Sequence, residues 1–321
     1  MARRHAVAVA SLALGAGHVV VPAWTLFHAG QLGGALGLAP GPAPSLTWAA
    51  LIAAAGIPMI ALGLRSGRAV LGRGAAARIA AAMLLIGGAS GSAGVRLWSA
   101  VEPELGPRSE LAVVPGLLTA LCGLGLMIAL TLRRERRSGP AASLPTLPEL
   151  DGAERVYGML EWLSVRAWAG LVLLCAWRLH GGEAGVPAGF VVPGAADVDT
   201  ATSAYGVCGL ALLLAPKIVL RPSTLFGGLL KAAVLVGLGL FTLPAVELAG
   251  SHLAAQADLG AAATMIAPAM KLALSIAVTA SIVFAFFRQL AGPVRLDGLG
   301  RPIERLRTDD LRALRASRMD G

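Results

Sequence analysis

The chain has 321 residues, of which 56% are hydrophobic and 14% are charged, and its mean hydropathy is +0.73. Soluble domains carry about 25% charged residues, so this composition excludes an ordinary soluble protein and indicates a membrane protein. The net charge of +9 does not indicate nucleic-acid binding, because the basic residues form no cluster on a polar folded face. Membrane lipids are the expected partners and nucleic acid is not. The composition does not decide whether the chain forms a homo-oligomer or binds partners in a membrane complex.

Eight apolar runs are long enough to cross a bilayer. A hydrocarbon core of about 30 Å needs roughly 20 helical residues, and only helices satisfy the backbone in lipid when the alternation of barrel strands is missing. We therefore predict an all-α, polytopic transmembrane helix bundle with about eight spans, of which the third is short and rich in glycine. The runs lie near 6–27, 46–64, 79–95, 111–132, 157–178, 203–220, 225–248 and 261–287.

Basic residues are distributed unevenly between these runs. The loops 28–45, 179–202 and 249–260 hold no Lys or Arg, whereas Arg96 and Arg108 are exceptions in a fourth loop on the same side. Since Lys and Arg stay on the cytoplasmic side, we predict a bacterial inner-membrane protein with both termini in the cytoplasm. A cleaved signal peptide is the alternative for the first run, but the length of that run favours a retained helix.

Two similar segments suggest an internal duplication. AWTLFHAG lies at 23–30 and AWRLHGG at 176–182, each at the end of an apolar run. Weaker matches follow in the same order, so we predict a tandem parallel repeat of a four-helix unit. The predicted parts are a first unit at 1–132, a cytoplasmic linker at 133–155, a second unit at 156–287 and a basic cytoplasmic tail at 288–321.

In helix count, orientation and the position of a histidine near a helix end, the chain is similar to haem A synthases and to tandem DoxX-like proteins. The resemblance implies two fused four-helix membrane modules. The ExxH and paired-histidine pattern of haem A synthases is not found in this sequence. The resemblance therefore assigns a role to no individual residue.

Three histidines are predicted to lie on the external side. His28 and His180 are equivalent in the proposed repeat, and His252 lies in a later external loop. Imidazoles on separate helices are able to hold a b-type haem or copper, so these three residues are cofactor or metal candidates. The preferred alternative is that they join Trp24 and Trp177 in the polar and aromatic belt of the membrane boundary.

Ionisable residues inside the apolar runs are costly in lipid and are functional candidates. His18 lies near the middle of the first run, and Arg166 and Lys271 lie about ten residues into theirs. Glu161 and Arg166 fall on different helix faces, so we expect Arg166 to extend toward the cytoplasm instead. Lys271 is expected to reach Glu247, which the repeat also aligns with Arg96.

The cysteines Cys122, Cys175 and Cys208 lie in apolar runs without CxxC or zinc-type spacing. We expect them to be small buried hydrophobic residues. A disulfide between Cys175 and Cys208 is the alternative.

Catalytic motifs are scarce. GASG at 88–91 matches the GxSG of rhomboid proteases, but His252 is far away and falls in a predicted loop, so close helix packing is the better interpretation. The sequence contains no Walker A, HExxH or Rossmann pattern. These observations favour a small-solute permease or a membrane scaffold over an enzyme. The alternative is a haem- or copper-binding redox or assembly protein.

Overall fold

The computed structural model describes residues 2–30, 44–66, 73–137, 151–181, 198–218, 225–256 and 263–291. All regular elements within these ranges are helical, which confirms the all-α prediction. They are α1 (Ala2–His28), α2 (Pro44–Ser66), α3 (Arg73–Leu105), a 3₁₀-helix (Gly106–Val113), α4 (Val114–Arg137), α5 (Asp151–His180), α6 (Val198–Ile218), α7 (Leu225–Gln256) and α8 (Ala263–Ala291).

Six helical segments are long and apolar enough to cross a membrane, so the chain is a multi-pass membrane protein by helix length and composition. Five of them belong to α1, α2, α5, α7 and α8. The sixth, Gly74–Arg133, has 60 residues and contains α3, the 3₁₀-helix and α4. A shorter apolar stretch, Val198–Leu214, forms most of α6. The described part of each predicted run lies on a different α-helix, except that the run 111–132 begins in the 3₁₀-helix.

The third run is longer than the sequence predicts. α3 has 33 residues, or about 50 Å at a rise of about 1.5 Å per residue, which exceeds the hydrocarbon thickness. Its glycines do not end the helix, and most of them lie where the 3₁₀-helix or α4 packs closely. A Cβ on Gly94, for example, would meet the carbonyl oxygen of Ala112 in the 3₁₀-helix at 2.5 Å. The predicted external loop around Arg96 is therefore helical.

Consecutive helices pair as antiparallel hairpins: α1 with α2, α3 with α4, α5 with α6, and α7 with α8. In the first hairpin, Gly15 packs against Ile60 and Gly63 against Leu12, so residue numbers rise along one helix as they fall along the other.

All odd-numbered helices begin on the same side of the bundle. α1 is parallel to α3 and α5 is parallel to α7, whereas α8 is antiparallel to α5. Arg78, Arg133 and Arg155 lie near the helix ends on the side where the odd-numbered helices begin. We call this the basic side and the opposite one the far side.

The two halves pack their hairpins differently. In the first half α2 packs along α3, whereas in the second half α5 packs on α8 and α7, and α6 packs mainly on α5. The halves meet mainly through α3 and α8, where the Ser275 hydroxyl donates a hydrogen bond to the Gly88 carbonyl at 2.9 Å. The order of hairpins agrees with two four-helix units, but their internal packing does not match. The repeat and the domain boundaries stay predictions.

Candidate functional site

A line of polar contacts joins the parallel helices α5 and α7. We call it the α5–α7 polar seam. On α7 its three residues are separated by 11 and 10 positions, about three helical turns each, which brings them to one face of the helix. From the basic side to the far side, the contacts are Glu161 with Lys231, Trp168 with Thr242, and Arg178 with His252.

The basic-side contact is an ion pair. Lys231 Nζ donates to Glu161 Oε1 at 3.1 Å, and the two side chains are only 15% and 17% exposed. Neither charge is stable at such a position without a partner, since desolvation is costly. The sequence analysis did not identify Lys231. The available signal was a single lysine within the apolar run of α7.

The central contact of the seam is uncharged. Trp168 Nε1–H donates to Thr242 Oγ1 at 2.8 Å, and the Thr242 hydroxyl donates to the Leu238 carbonyl at 2.7 Å. Trp168 and Thr242 are both buried. The pair satisfies the indole N–H, which would otherwise be a costly unpaired donor inside the bundle.

The far-side contact involves a histidine that the sequence analysis placed in a loop. That placement was wrong, because α7 continues to Gln256 and includes His252. Arg178 Nη2 lies 2.7 Å from His252 Nδ1. Since arginine only donates hydrogen bonds, Nδ1 is the acceptor and the imidazole proton is on Nε2. A guanidinium in this position disfavours a metal cation on the same ring. Arg178 also went unrecognised in the sequence, because it ends an apolar run.

A second ion pair joins α7 to α8. Lys271 Nζ lies 2.6 Å from Glu247 Oε1, with the lysine 15% and the glutamate 50% exposed. The contact agrees with the expectation that Lys271 reaches Glu247. It also gives Glu247 a partner within the second half, rather than the Arg96 that the repeat alignment suggests. Glu247 is five residues before His252, so it faces away from the seam.

Arg166 extends toward the basic side, as expected. Its guanidinium carbon lies 4.1 Å from the ring centroid of Trp162, and Nη1 donates to the Trp162 carbonyl at 3.3 Å. Trp162 is one turn closer to the start of α5. Glu161, five residues before Arg166, forms its ion pair with Lys231 of α7. Glu161 and Arg166 therefore do not form an intrahelical pair, in agreement with the sequence analysis.

His18 is completely buried and joins α1 to α3. Its Nδ1–H donates to the Leu14 carbonyl at 2.8 Å, and Nε2 lies 3.1 Å from Ser90 Oγ. With the proton on Nδ1, Nε2 accepts from the Ser90 hydroxyl, so the ring is satisfied while uncharged. Ser90 is only 3% exposed. The arrangement is an interhelical hydrogen bond in a closed interface, which agrees with the packing interpretation of GASG.

His28 and His180 are the last residues of α1 and α5, and both are exposed. The His28 ring stacks near Trp24, with centroids 4.3 Å apart, and its Nδ1–H donates to the Trp24 carbonyl at 2.9 Å. The contact with Trp24 agrees with the aromatic-belt interpretation of His28, which stays a prediction. Within the described parts of the chain, no group of three or more His, Cys, Asp or Glu side chains is arranged to hold a metal ion.

The cysteines differ from one another. Cys175 is buried, Cys208 is half-buried and Cys122 is exposed on the outside of the bundle, so the expectation of three buried cysteines was wrong for Cys122. All three thiols are free. An exposed thiol on a helix that crosses lipid needs no protein partner, because lipid is itself an apolar environment.

Comparison of the chain with known protein families, with characterised proteins and with solved structures found no match.

Proposed function

We propose that the chain crosses a bacterial inner membrane eight times, with both termini in the cytoplasm. The support is that the odd-numbered helices share one starting side and that Arg78, Arg133 and Arg155 lie near helix ends on this side, whereas Arg178 lies at a helix end on the far side. Retention of Lys and Arg in the cytoplasm then assigns the basic side to the cytoplasm and the far side to the exterior. The 17 apolar residues of α6, Val198–Leu214, span about 25 Å, which is close to the hydrocarbon thickness.

We propose further that the protein is a small-solute permease. The observation that carries this proposal is the distribution of charge along α5, α7 and α8. Ion pairs lie toward both sides of the bundle, at Glu161–Lys231 and at Glu247–Lys271. Between them α7 and α8 carry no charge, and Arg166 of α5 extends toward the basic side. Charges inside membrane helices are costly and line solute pathways, and transporters hold their substrates near mid-membrane.

The duplication that we propose has support from the parallel helices of each half. α1 and α3 are joined by one buried side-chain hydrogen bond near their middle, His18 to Ser90, and α5 and α7 by another, Trp168 to Thr242. The sequence separations, 72 and 74 residues, are nearly equal. The unequal hairpin packing of the two halves is consistent with copies that have taken different roles, with the ion pairs in the second.

Flux into proteoliposomes tests the permease. Swelling of vesicles by glycerol or acetamide is followed by light scattering, with empty vesicles as the blank. We expect flux above the blank for the intact protein and a loss of flux in Lys271→Ala and in Glu247→Ala. Arg166→Gln is the matched control, because the contacts of its guanidinium within the described residues are with Trp162, on the neighbouring turn of its own helix. Flux at the level of empty vesicles, unchanged by these substitutions, would support a membrane scaffold instead.

The haem- or copper-binding alternative is separated by an optical spectrum and a metal analysis of the purified protein. His28 favours this alternative in one respect, since its Nδ1–H is used by a backbone carbonyl and its Nε2 is left to ligate. A Soret band or stoichiometric copper that is lost in His28→Ala would replace the permease proposal.

A further inference from the structure

Tyr205 of α6 is a buried polar residue that no contact described so far involves. Its side chain is 0% exposed, and its hydroxyl has no hydrogen-bond partner among the residues that the structure describes. A buried hydroxyl without a partner is costly and therefore rare in folded proteins. An unpaired donor at a buried position is the kind of group that recognises a ligand.

The surroundings of Tyr205 belong to three helices of the second half. Its ring packs against Phe241 of α7, with centroids 5.5 Å apart, and Cys175 of α5 belongs to the same buried cluster. Phe241 directly precedes Thr242, the centre of the α5–α7 polar seam. The phenol therefore lies beside the seam rather than on the lipid-facing surface.

The position along the membrane is fixed by α7. Phe241 comes ten residues after Lys231 and six before Glu247, or about 15 Å and about 9 Å along the helix at about 1.5 Å per residue. The aromatic contact of Tyr205 thus lies between the two ion pairs. This is the level at which a solute would sit if the pairs close the pathway on either side.

On α6 and α7 the stretch between the pairs is uncharged, and on α5 residues 162–177 contain one charge, Arg166, whose guanidinium extends toward the basic side. Residues 232–246 of α7 and 200–214 of α6 contain no Asp, Glu, Lys or Arg. The fully buried side chains of the described residues also include none of these four types. An ion at this level would have no counter-charge and would carry a large desolvation cost. An uncharged molecule would not carry this desolvation cost.

We propose that Tyr205 is the hydrogen-bond donor of a solute-binding site between α5, α6 and α7, and that its ligand is a small uncharged molecule with a hydrogen-bond acceptor, such as an amide or an alcohol. The inference rests on the proposed permease function and adds the class of substrate. The phenol O–H donates to the carbonyl or hydroxyl oxygen of the solute, and the rings of Tyr205 and Phe241 provide apolar contact.

The substitution Tyr205→Phe removes only the hydroxyl, and Tyr157→Phe is the matched control, because it makes the same change at the chain's one other tyrosine. Tyr157 lies near the basic side and packs against Phe287 of α8. Two quantities are measured for each variant: acetamide flux into proteoliposomes, and the shift in unfolding temperature that acetamide produces in detergent.

We expect Tyr205→Phe to lower acetamide flux about three- to tenfold, the loss of one neutral hydrogen bond, and to remove the thermal shift. Its unfolding temperature without acetamide should equal or exceed that of the intact protein, since an unpaired buried hydroxyl is removed and no described protein partner is lost. Tyr157→Phe should keep both flux and shift.

The outcomes separate this site from the permease itself. If the intact protein transports acetamide and Tyr205→Phe does so equally well, the site is wrong and the permease stands. If the intact protein shows no flux, the permease fails and the thermal shift decides the site alone. Equal shifts in the intact protein and Tyr205→Phe, or no shift in either, overturn the site. A marked loss of stability in Tyr205→Phe without acetamide also overturns it, because the hydroxyl would then have a protein partner.

Discussion

Two glycines on α4 give a direct test of the close packing between α3 and α4. Gly123 and Gly125 are two residues apart, but only Gly123 faces α3. A Cβ on Gly123 would lie 2.8 Å from the backbone nitrogen of Leu84 and 2.9 Å from the carbonyl oxygen of Ala80. A Cβ on Gly125 would have no atom of a neighbouring element within 4 Å.

The magnitude follows from these distances. Ordinary contact begins at 3.4 Å, so α3 and α4 must separate by about 0.6 Å to admit the methyl group of Gly123→Ala. Both contacted atoms are backbone, and no side-chain rotation relieves the clash. Overpacking of this kind costs about 1–3 kcal/mol. Gly125→Ala gains helix propensity of up to about 1 kcal/mol, and Gly123→Ala shares this gain. The difference between the two variants therefore isolates the steric cost.

Thermal unfolding of the two purified variants in the same detergent, followed by circular dichroism, provides the measurement. We expect Gly125→Ala to unfold at or above the temperature of the intact protein, and Gly123→Ala to unfold several degrees below Gly125→Ala. Equal unfolding temperatures would mean that the two helices do not touch at this level. The close pairing of α3 with α4 would then be incorrect.

Three further predictions concern the ion pair, the central hydrogen bond and the orientation. Glu161→Gln should destabilise the protein by about 3–5 kcal/mol, because the charge of Lys231 is left without a counter-charge. Adding Lys231→Met to this variant should recover most of the lost stability. If the double variant instead loses as much stability in thermal unfolding as the two single variants together, the ion pair is contradicted. Thr242→Val should lower the free energy of unfolding by about 1–3 kcal/mol, because it removes the acceptor of the buried Trp168 indole. The control Thr131→Val should cost less, because the hydrogen bond described for its hydroxyl lies within its own helix. Equal losses in the two variants would contradict the hydrogen bond between Trp168 and Thr242. A cysteine replacing His180 in a cysteine-free background should react with a membrane-impermeant maleimide on cells whose outer membrane has been made permeable. If this cysteine is labelled only after the inner membrane is broken, the end of α5 lies in the cytoplasm and the proposed orientation is wrong.

Much of the fold could be predicted because it depends on local composition. The described residues of the apolar runs are helical, and the paired ends His28 and His180 are the last residues of α1 and α5. The predictions were wrong where the length of a helix does not follow from the apolar residues of its own segment. The glycines up to Gly94 favoured a short span, yet α3 continues through them, and the 3₁₀-helix and α4 pack against most of them. His252 was placed in a loop because the apolar run was predicted to end at residue 248, but α7 extends through it to Gln256.

The candidate site could be predicted only in part. The pairing of Lys271 with Glu247 was foreseen, because the two residues lie in consecutive runs that were expected to be adjacent and antiparallel. Lys231 and Tyr205 were not identified, because a single polar residue in an apolar run gives no indication of its partner. Glu161 is 70 positions from Lys231, and no spacing within one helix relates them.

The sequence by itself determined that this is a helical membrane protein, since burial in lipid depends on how many apolar residues follow one another and requires no knowledge of neighbours. Only the tertiary structure decided which polar side chains meet, where α3 ends and which hydroxyl is left without a protein partner. These properties depend on how each helix is rotated about its axis and which helix lies beside it. Lipid imposes no such rotation, because it is equally apolar on every side, so packing between helices sets it.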